Sequence, residues 1–276
     1  MHCRLIGISK LSVVCDCNAD ASLADELNTF YIRFEAAAHS ANSVSSANSA
    51  IGSTHTENAG DENTLIVSEH DVRKAFRKVN TTRAAGPDGI TGRVLKACAD
   101  QFAPVCSQKY STSLELSMIP TFFKQSTIVP VHKKPQPACL NDYHPVALTS
   151  VMIKCFERLI RDFITSSLPY TLDLLQFAYH PNHSIEDRIA HLHHTALSHM
   201  DSIKGNYVKM LFVDYSSVFN TIIPSILITK LEILGLRPSL CRWTSNFLMD
   251  RPQAVRVGKH VSPSLTLSTG APRVVF

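Results

Sequence analysis

The sequence has no long uninterrupted apolar run and no complete secretion signal. No stretch of the 276 residues reaches the roughly 18 consecutive apolar residues that a membrane-spanning helix needs. Residues 5–15 resemble the apolar part of a signal peptide, but Lys10 interrupts the run and no small-residue cleavage site follows. These absences predict a soluble, intracellular protein of the cytoplasm or nucleus, without a membrane partner.

The eight cysteines also lack the spacing of a structural metal site. No two of them form a CxxC pair, and their density is far below that of a small disulfide-rich secreted domain. We therefore expect reduced thiols, most of them buried. The hydrophobic content of 45% is high enough to build a substantial core, which excludes a disordered chain.

Positively charged residues are scarce at the start of the chain. Residues 1–64 carry three Lys or Arg against eight Asp or Glu, whereas residues 65–155 carry twelve basic against six acidic residues. Residues 156–276 carry twelve against nine, so the whole positive excess follows the acidic leader. This distribution permits polyanion binding by the later part of the chain.

The acidic leader, residues 1–64, is predicted to contain one short helix over residues 22–35, beginning at a capping pair formed by Ser22 and Asp25. This amphipathic helix needs a partner surface to pack on. Residues 36–64 are rich in Ser, Asn, Ala and Thr and are predicted to be a flexible linker.

Periodic apolar residues predict an α+β fold for the later part of the chain. A second capping pair, Ser68 with Asp71, predicts a helix, and a Gly-Pro-rich tight turn follows at residues 84–89. Further helices are expected over residues 91–117, over residues 150–166 and between Pro224 and Gly235. Strands are expected at residues 126–131 and 210–213, with a hairpin over residues 253–267.

Asp214 is the first candidate functional residue, because it directly follows the predicted apolar strand at residues 210–213. A carboxylate at the mouth of a buried strand is costly without a partner, and a divalent cation is a suitable one. On position alone an ordinary turn residue explains Asp214 better than a metal ligand does, because Asp is common in turns that follow strands. The residues around it favour the metal interpretation.

Residues 212–221, FVDYSSVFNT, resemble motif A of reverse transcriptases from non-LTR (LINE-type) retrotransposons, which has the form FxDYSSAFN. Other segments match the same family in the same order: the turn AAGPDG at 84–89, TIVPVHKK at 127–134, NDYHPVAL at 141–148, QFAYHPNHS at 176–184, and STGAP at 268–272, which is similar to the opening of motif B. The resemblance covers about residues 65–272 and, more weakly, the predicted helix at residues 22–35.

This resemblance implies the fingers and part of the palm of a right-hand RNA-directed DNA polymerase. Such an enzyme joins deoxynucleotides to a DNA primer on an RNA template, with two Mg²⁺ ions that activate the primer hydroxyl and neutralise the triphosphate. Asp214 matches the first metal-binding carboxylate, and the backbone carbonyl of Tyr215 is a further expected ligand. Phe219 matches the bulky residue that excludes a ribose 2′-hydroxyl, or it is an ordinary core residue.

Further site residues follow from the same resemblance. Lys133 and Lys134 match the fingers lysine that neutralises the incoming phosphates, and His144 stands where the family has a phosphate-binding arginine. Gly270 and Pro272 lie in the motif B segment, which borders the template and primer. Considered alone, the two lysines would be a solvated basic turn.

The sequence departs from the family most clearly after Pro272, where residues 273–276 do not continue motif B and the carboxylates of motif C and the thumb do not follow. We therefore expect a chain truncated within motif B and inactive alone, because one carboxylate cannot hold two Mg²⁺ ions. His144 also lacks the permanent, bidentate charge of arginine.

Two alternatives remain for the whole chain: a noncatalytic nucleic-acid-binding module, or an unstable relic of a retroelement. The sequence leaves the oligomeric state open. The histidines of residues 191–199 lie on a predicted helix, and the pair His191 and His194 could chelate a metal. We favour an exposed polar face, since no acidic or cysteine ligand lies nearby.

Overall fold

Helices and one small mixed sheet make up the computed structural model, which describes residues 17–35, 65–169, 175–177, 182–202, 207–214 and 218–271. The helices are α1 (Cys17–Tyr31), α2 (Glu69–Arg77), α3 (Gly92–Ala97), α4 (Ala99–Glu115), α5 (Thr121–Lys124), α6 (Val151–Ser167), α7 (Ile185–Ser202), α8 (Pro224–Ile233) and α9 (Pro238–Leu248). The strands are β1 (Ser126–His132), β2 (Tyr143–Thr149), β3 (Arg251–Val257), β4 (His260–Val261) and β5 (Leu265–Leu267). None of the helices in these ranges is long and apolar enough to cross a membrane.

The sheet is mixed, and its strand order is β2-β1-β3-β4, with β5 also paired to β3. β1 and β2 are antiparallel, and Val131 pairs with His144 near their tip. β3 runs parallel to β1, so that Ser126 lies opposite Gln253. The predicted hairpin is confirmed, since β3 turns back through Gly258 into β4. This mixed architecture agrees with an α+β fold.

Helix α1 packs on one face of the sheet and supplies the partner surface that its apolar residues require. Leu27 is fully buried against Ile128, Ala147 and Val255, which come from three neighbouring strands. The buried Asn28 side chain donates to the Ser262 hydroxyl at 3.0 Å. The helix thus joins the sheet through both an apolar cluster and a buried hydrogen bond.

The start of α1 differs from the prediction. The helix begins at Cys17, so Ser22 lies inside it, and the Ser22 hydroxyl donates to the Glu26 carboxylate at 2.9 Å. The predicted cap at Ser22 is therefore wrong, because a serine inside a helix can bond to a side chain one turn later instead of to a free backbone amide. The predicted linker, residues 36–64, lies outside the described residues.

A second, larger core joins α2, α4, α6 and α9. The predicted cap of α2 is confirmed, since the Ser68 hydroxyl accepts from the Asp71 amide at 3.1 Å. In the middle of this core the Phe156 ring stacks on Tyr110, with centroids 4.1 Å apart, and meets Trp243 edge to face at 5.2 Å. Aromatic pairs of this kind add stability beyond their buried area.

The glycine-rich turn at residues 84–89 packs against the junction of β2 and α6. Gly89 has a φ of +69°, and its amide donates to the Gly86 carbonyl at 3.1 Å, as expected for a tight turn. A methyl group at Gly86 would lie 2.5 Å from the Ser150 backbone nitrogen, so only glycine fits this approach. The predicted single helix after the turn is divided into α3 and α4, because Cys98 leaves helical geometry at φ −104° and ψ 25°.

The predicted strand at residues 210–213 is wrong. In the described structure this segment is not part of any strand and is highly exposed, with 88% of Leu211 and 78% of Phe212 accessible. A strand needs a neighbour to accept and donate its backbone hydrogen bonds. Among the strands of the described ranges, none pairs with this segment.

Glu157 on α6 gives the stability of the fold a predicted pH dependence. Burial raises its pKa to about 7, and the charge of Lys154 opposes this shift. Because the folded pKa lies above the unfolded value, the stability associated with protonated Glu157 is fully present below about pH 4.5. We expect the free energy of unfolding to fall as the pH rises from there to about 7.

Urea titrations at several pH values, on the wild type and on Glu157→Gln, measure this effect. The glutamine stays neutral, so the variant should lose less stability than the wild type over the same pH interval. Identical pH profiles for the two proteins would show that Glu157 does not titrate with a raised pKa.

Candidate functional site

Lys133 and Lys134 lie in the loop that joins β1 to β2, and each is held by a polar group of the same loop. The Lys133 ammonium donates to the Asn141 carbonyl at 2.6 Å, and the Lys134 ammonium lies 3.0 Å from a carboxylate oxygen of Asp142. Both lysines are exposed. The loop therefore presents two cations to solvent in a defined arrangement.

Asp142 organises this loop. Its carboxylate accepts from the amides of Ala138 at 2.8 Å and Cys139 at 3.1 Å. The hydrogen bond from the Ala138 amide and, to a lesser extent, the hydrogen bond from the Lys134 side chain hold the pKa of Asp142 well below its usual range. The Asp of the NDY sequence thus fixes the loop, a role that the resemblance did not indicate.

His144 is exposed on β2, beside the same loop. Since side chains alternate along a strand, His144 points away from the face on which Ala147 contacts α1. The neighbouring rings of His132 and Tyr143 meet edge to face with centroids 5.1 Å apart. The structure therefore places Lys133, Lys134 and His144 at one end of the β1–β2 pair.

Asp214 lies among the described residues 207–214, and its side chain is exposed. Tyr215 and Pro272 lie outside the described residues. No group of three or more Asp, Glu, His or Cys side chains that could hold a metal ion occurs within the part of the chain that the structure describes. The described residues therefore do not assemble a two-Mg²⁺ site around Asp214.

Phe219 and Gly270, 51 residues apart in the sequence, are brought into contact. The Ala271 amide donates to the Phe219 carbonyl at 2.7 Å, and the Gly270 amide donates to the Ile222 carbonyl at 2.7 Å. Gly270 has a φ of +69°, and a methyl group there would lie 2.8 Å from the Phe219 carbonyl oxygen. The end of the motif A segment and the start of the motif B segment are thus directly joined through their backbones, while the Phe219 ring is half-exposed.

Two charged residues beside this junction were not identified from the sequence. The buried Arg251 donates to the carbonyl oxygens of Thr269 and Gly270, the latter at 2.9 Å. Burial lowers the pKa of Arg251 to about 10, and the Glu35 carboxylate opposes that shift. Glu35 accepts from the Thr269 amide at 2.7 Å. Thr269 follows Glu35 by 234 residues and Arg251 by 18, so no local sequence pattern indicated these two contacts.

A cleft of about 70 Å³ opens at this junction, between the end of α1 and the sheet. Its wall includes Glu35, Arg251, Gly270 and Asn220. The Thr149 hydroxyl also faces this cleft and is buried without a hydrogen-bond partner. The cleft is therefore polar on several sides.

The histidines of α7 are exposed, as predicted. His191 lies near the Phe177 ring, with centroids 6.2 Å apart, and Arg188 stacks over the same ring at 5.3 Å. Phe177 therefore links the QFAYHPNHS segment to α7 through ring contacts.

Comparison with known proteins gives two distant similarities, and no family model matches the chain. The chain is 23% identical over 210 residues to the RNA-directed DNA polymerase from mobile element jockey of Drosophila funebris, covering 75% of this chain and 23% of that polymerase. It is 25% identical over 179 residues to a putative 115 kDa protein in the type-1 retrotransposable element R1DM of Drosophila melanogaster, covering 64% of this chain and 17% of that protein.

The chain thus spans less than a quarter of the length of either relative. Both similarities agree with the resemblance read from the motifs, and they support a reverse-transcriptase-like relationship to retrotransposon proteins. The mixed helices and sheet are compatible with such a protein.

Proposed function

We propose that residues 65–271 form the fingers and part of the palm of a non-LTR retrotransposon reverse transcriptase. In this proposal Lys133, Lys134 and His144 face the phosphates of the incoming deoxynucleotide, and Phe219 lies against its sugar. RNA template and DNA primer lie along the segment that contains Gly270. RNA-directed DNA synthesis is the reaction of the complete enzyme.

The contact between Phe219 and residues 270–271 is the observation that carries this proposal. Two segments that match consecutive polymerase motifs are far apart in the sequence, yet they are hydrogen-bonded to each other at 2.7 Å. A polymerase needs these segments together, because the residue that senses the sugar must lie beside the nucleotide.

We further propose that a polypeptide of residues 1–276 does not extend a primer by itself. Asp214 is the one residue within it that matches a metal carboxylate of the family, and two Mg²⁺ ions require about three carboxylates. The remaining ligands would have to come from sequence that corresponds to the later motifs of the family.

A noncatalytic nucleic-acid-binding module is the second candidate, and the exposed lysines of the β1–β2 loop favour it. Lysines held in a fixed arrangement on a chain with a net positive charge of 4 can bind phosphates without chemistry. Both candidates predict nucleic-acid binding, whereas primer extension by a completed enzyme is expected only from the first.

We expect residues 1–276 to bind an RNA–DNA hybrid weakly and with strong salt dependence. When affinity comes from lysine and arginine contacts to phosphates, the logarithm of the binding constant decreases linearly with the logarithm of the salt concentration. Replacing Lys133 and Lys134 together by alanine should reduce that slope by about one to two. Fluorescence anisotropy at a series of salt concentrations measures the slope.

The matched control replaces Lys74 and Lys78, which are exposed on or beside α2 and carry the same total charge. This variant should retain a slope close to that of the wild type. If the two double variants lower the slope equally, the β1–β2 loop is not the binding surface. A wild-type affinity that does not change with salt would contradict phosphate binding altogether.

A further inference from the structure

The backbone of residues 268–271 is held from three sides. Glu35 accepts from the amides of Ser268 at 2.9 Å and Thr269 at 2.7 Å, and from the Thr269 hydroxyl at 2.6 Å. Arg251 donates to the carbonyl oxygens of Thr269 and Gly270. The next two amides, those of Gly270 and Ala271, donate to the carbonyl oxygens of Ile222 and Phe219.

Every backbone amide of this four-residue segment therefore has a defined acceptor. A carboxylate binds the first two amides, and the carbonyl oxygens of Ile222 and Phe219 bind the other two. Hydrogen bonds to a charged group are stronger than those between neutral groups. Glu35 and Arg251 thus restrict the first half of the segment, and the peptide geometry transmits this restriction to the second half.

The position of Glu35 depends in turn on α1. Leu27 is buried in the sheet core, and Asn28 is tied to Ser262 and, through its side-chain oxygen, to Gln253 at 3.2 Å. These contacts fix the end of the helix beside β3 and β4. The acidic N-terminal segment consequently reaches the junction between the two motif segments.

We propose that Glu35 and Arg251 are positioning residues that hold residues 268–271 against Phe219, and so adjust how closely the Phe219 ring approaches a bound nucleotide sugar. This inference rests on the proposed function, in which Phe219 distinguishes deoxyribose from ribose. It assigns to the segment upstream of residue 65 a part in substrate selection. The expected mechanism is geometric, since neither side chain needs to touch the nucleotide.

Amide hydrogen exchange of the 276-residue chain tests the positioning directly. In Glu35→Ala, the Ser268 and Thr269 amides lose their acceptor and should exchange faster. If Glu35 positions the whole segment, the Gly270 and Ala271 amides should also exchange faster, although their own acceptors are untouched. Glu35→Gln keeps an acceptor oxygen and should restore most of the protection at all four amides.

The control is Tyr110→Phe, which removes the hydroxyl that donates to the Met152 carbonyl in the helical core and leaves the 268–271 segment unchanged. It should not change exchange at these four amides. Faster exchange at Ser268 and Thr269 alone in Glu35→Ala would overturn the inference, because Glu35 would then act only locally.

Nucleotide selectivity provides the functional readout. With an RNA–DNA template–primer present, the ratio of the dissociation constants of GTP and dGTP is measured by equilibrium dialysis. Glu35→Ala should lower this ratio by about fivefold, the effect of roughly 1 kcal/mol, and Glu35→Gln and Tyr110→Phe should leave it within about twofold of the wild type.

The hydrogen-exchange and dialysis experiments together distinguish a failure of this inference from a failure of the proposed function. A wild-type chain that binds GTP and dGTP equally contradicts the role of Phe219 in the proposed function. A chain that binds neither nucleotide is what the missing metal carboxylates would cause. In both cases the exchange experiment alone decides whether Glu35 positions the segment. A selective wild type whose Glu35→Ala variant keeps the full ratio contradicts the positioning inference.

Discussion

The substitution Gly270→Ala is expected to destabilise the protein by about 3 kcal/mol, one of the largest effects of a single methyl group in this fold. Two causes act together. Alanine is strained at a φ of +69°, and its methyl group would lie 2.8 Å from the Phe219 carbonyl oxygen and 2.9 Å from the Asn220 Cα. The segment must move away, which breaks the hydrogen bonds of Gly270 and Ala271.

Gly89→Ala provides a matched control. Gly89 has the same φ of +69°, but a methyl group there has nothing within 4 Å. That substitution should therefore cost only the backbone strain, about 1 to 2 kcal/mol. The free energies of unfolding of the two variants are measured by urea denaturation. The difference between their losses of stability is the cost of the close approach between residues 219–220 and Gly270. Equal losses of stability would mean that these segments are not in contact.

Asp214→Asn is expected to lower RNA-templated DNA synthesis by orders of magnitude in an extended protein. In that protein the rest of motif B, motif C and the thumb of a non-LTR reverse transcriptase follow Pro272. Asparagine keeps the shape of the side chain and removes the charge that balances a metal ion. Because Asp214 is exposed, its replacement should leave the melting temperature of the 276-residue chain unchanged, so the loss is not due to unfolding.

His144→Arg in the same extended protein should act in the opposite direction. A permanent guanidinium binds a triphosphate through two hydrogen bonds, whereas a neutral imidazole does not, so the KM for the nucleotide should fall while kcat changes little. Steady-state primer extension at a series of nucleotide concentrations measures both constants.

An extended protein that is equally active with Asp214→Asn would show that Asp214 is only a turn residue.

Local signals in the sequence predicted a substantial part of the fold. The Ser68 cap, the tight turn ending at Gly89 and the helix from Pro224 to the glycine at 235 all occur as expected, and Gly235 has the positive φ of +81° that ends such a helix. Each of these features depends on the conformational preference of one residue and its immediate neighbours. Such preferences can be read without knowledge of the tertiary contacts.

Features that depend on distant partners could not be predicted in the same way. The apolar run at residues 210–213 has the composition of a buried strand, but a strand forms only with a neighbour. Glu35 follows α1, and its role is visible only once the 268–271 segment lies beside it. The α1 contacts, the Arg251 hydrogen bonds and the approach of Phe219 to Gly270 all link residues far apart in the sequence.

The most direct test of the proposed reverse-transcriptase identity is the product of primer extension by the extended protein with its native Asp214. The protein is incubated with a DNA primer annealed to an RNA template of defined sequence, Mg²⁺ and all four deoxynucleotides, and the product is sequenced. We predict DNA complementary to the RNA template. A folded extended protein that binds the hybrid but adds no nucleotides, or adds them without regard to the template, would contradict the proposal.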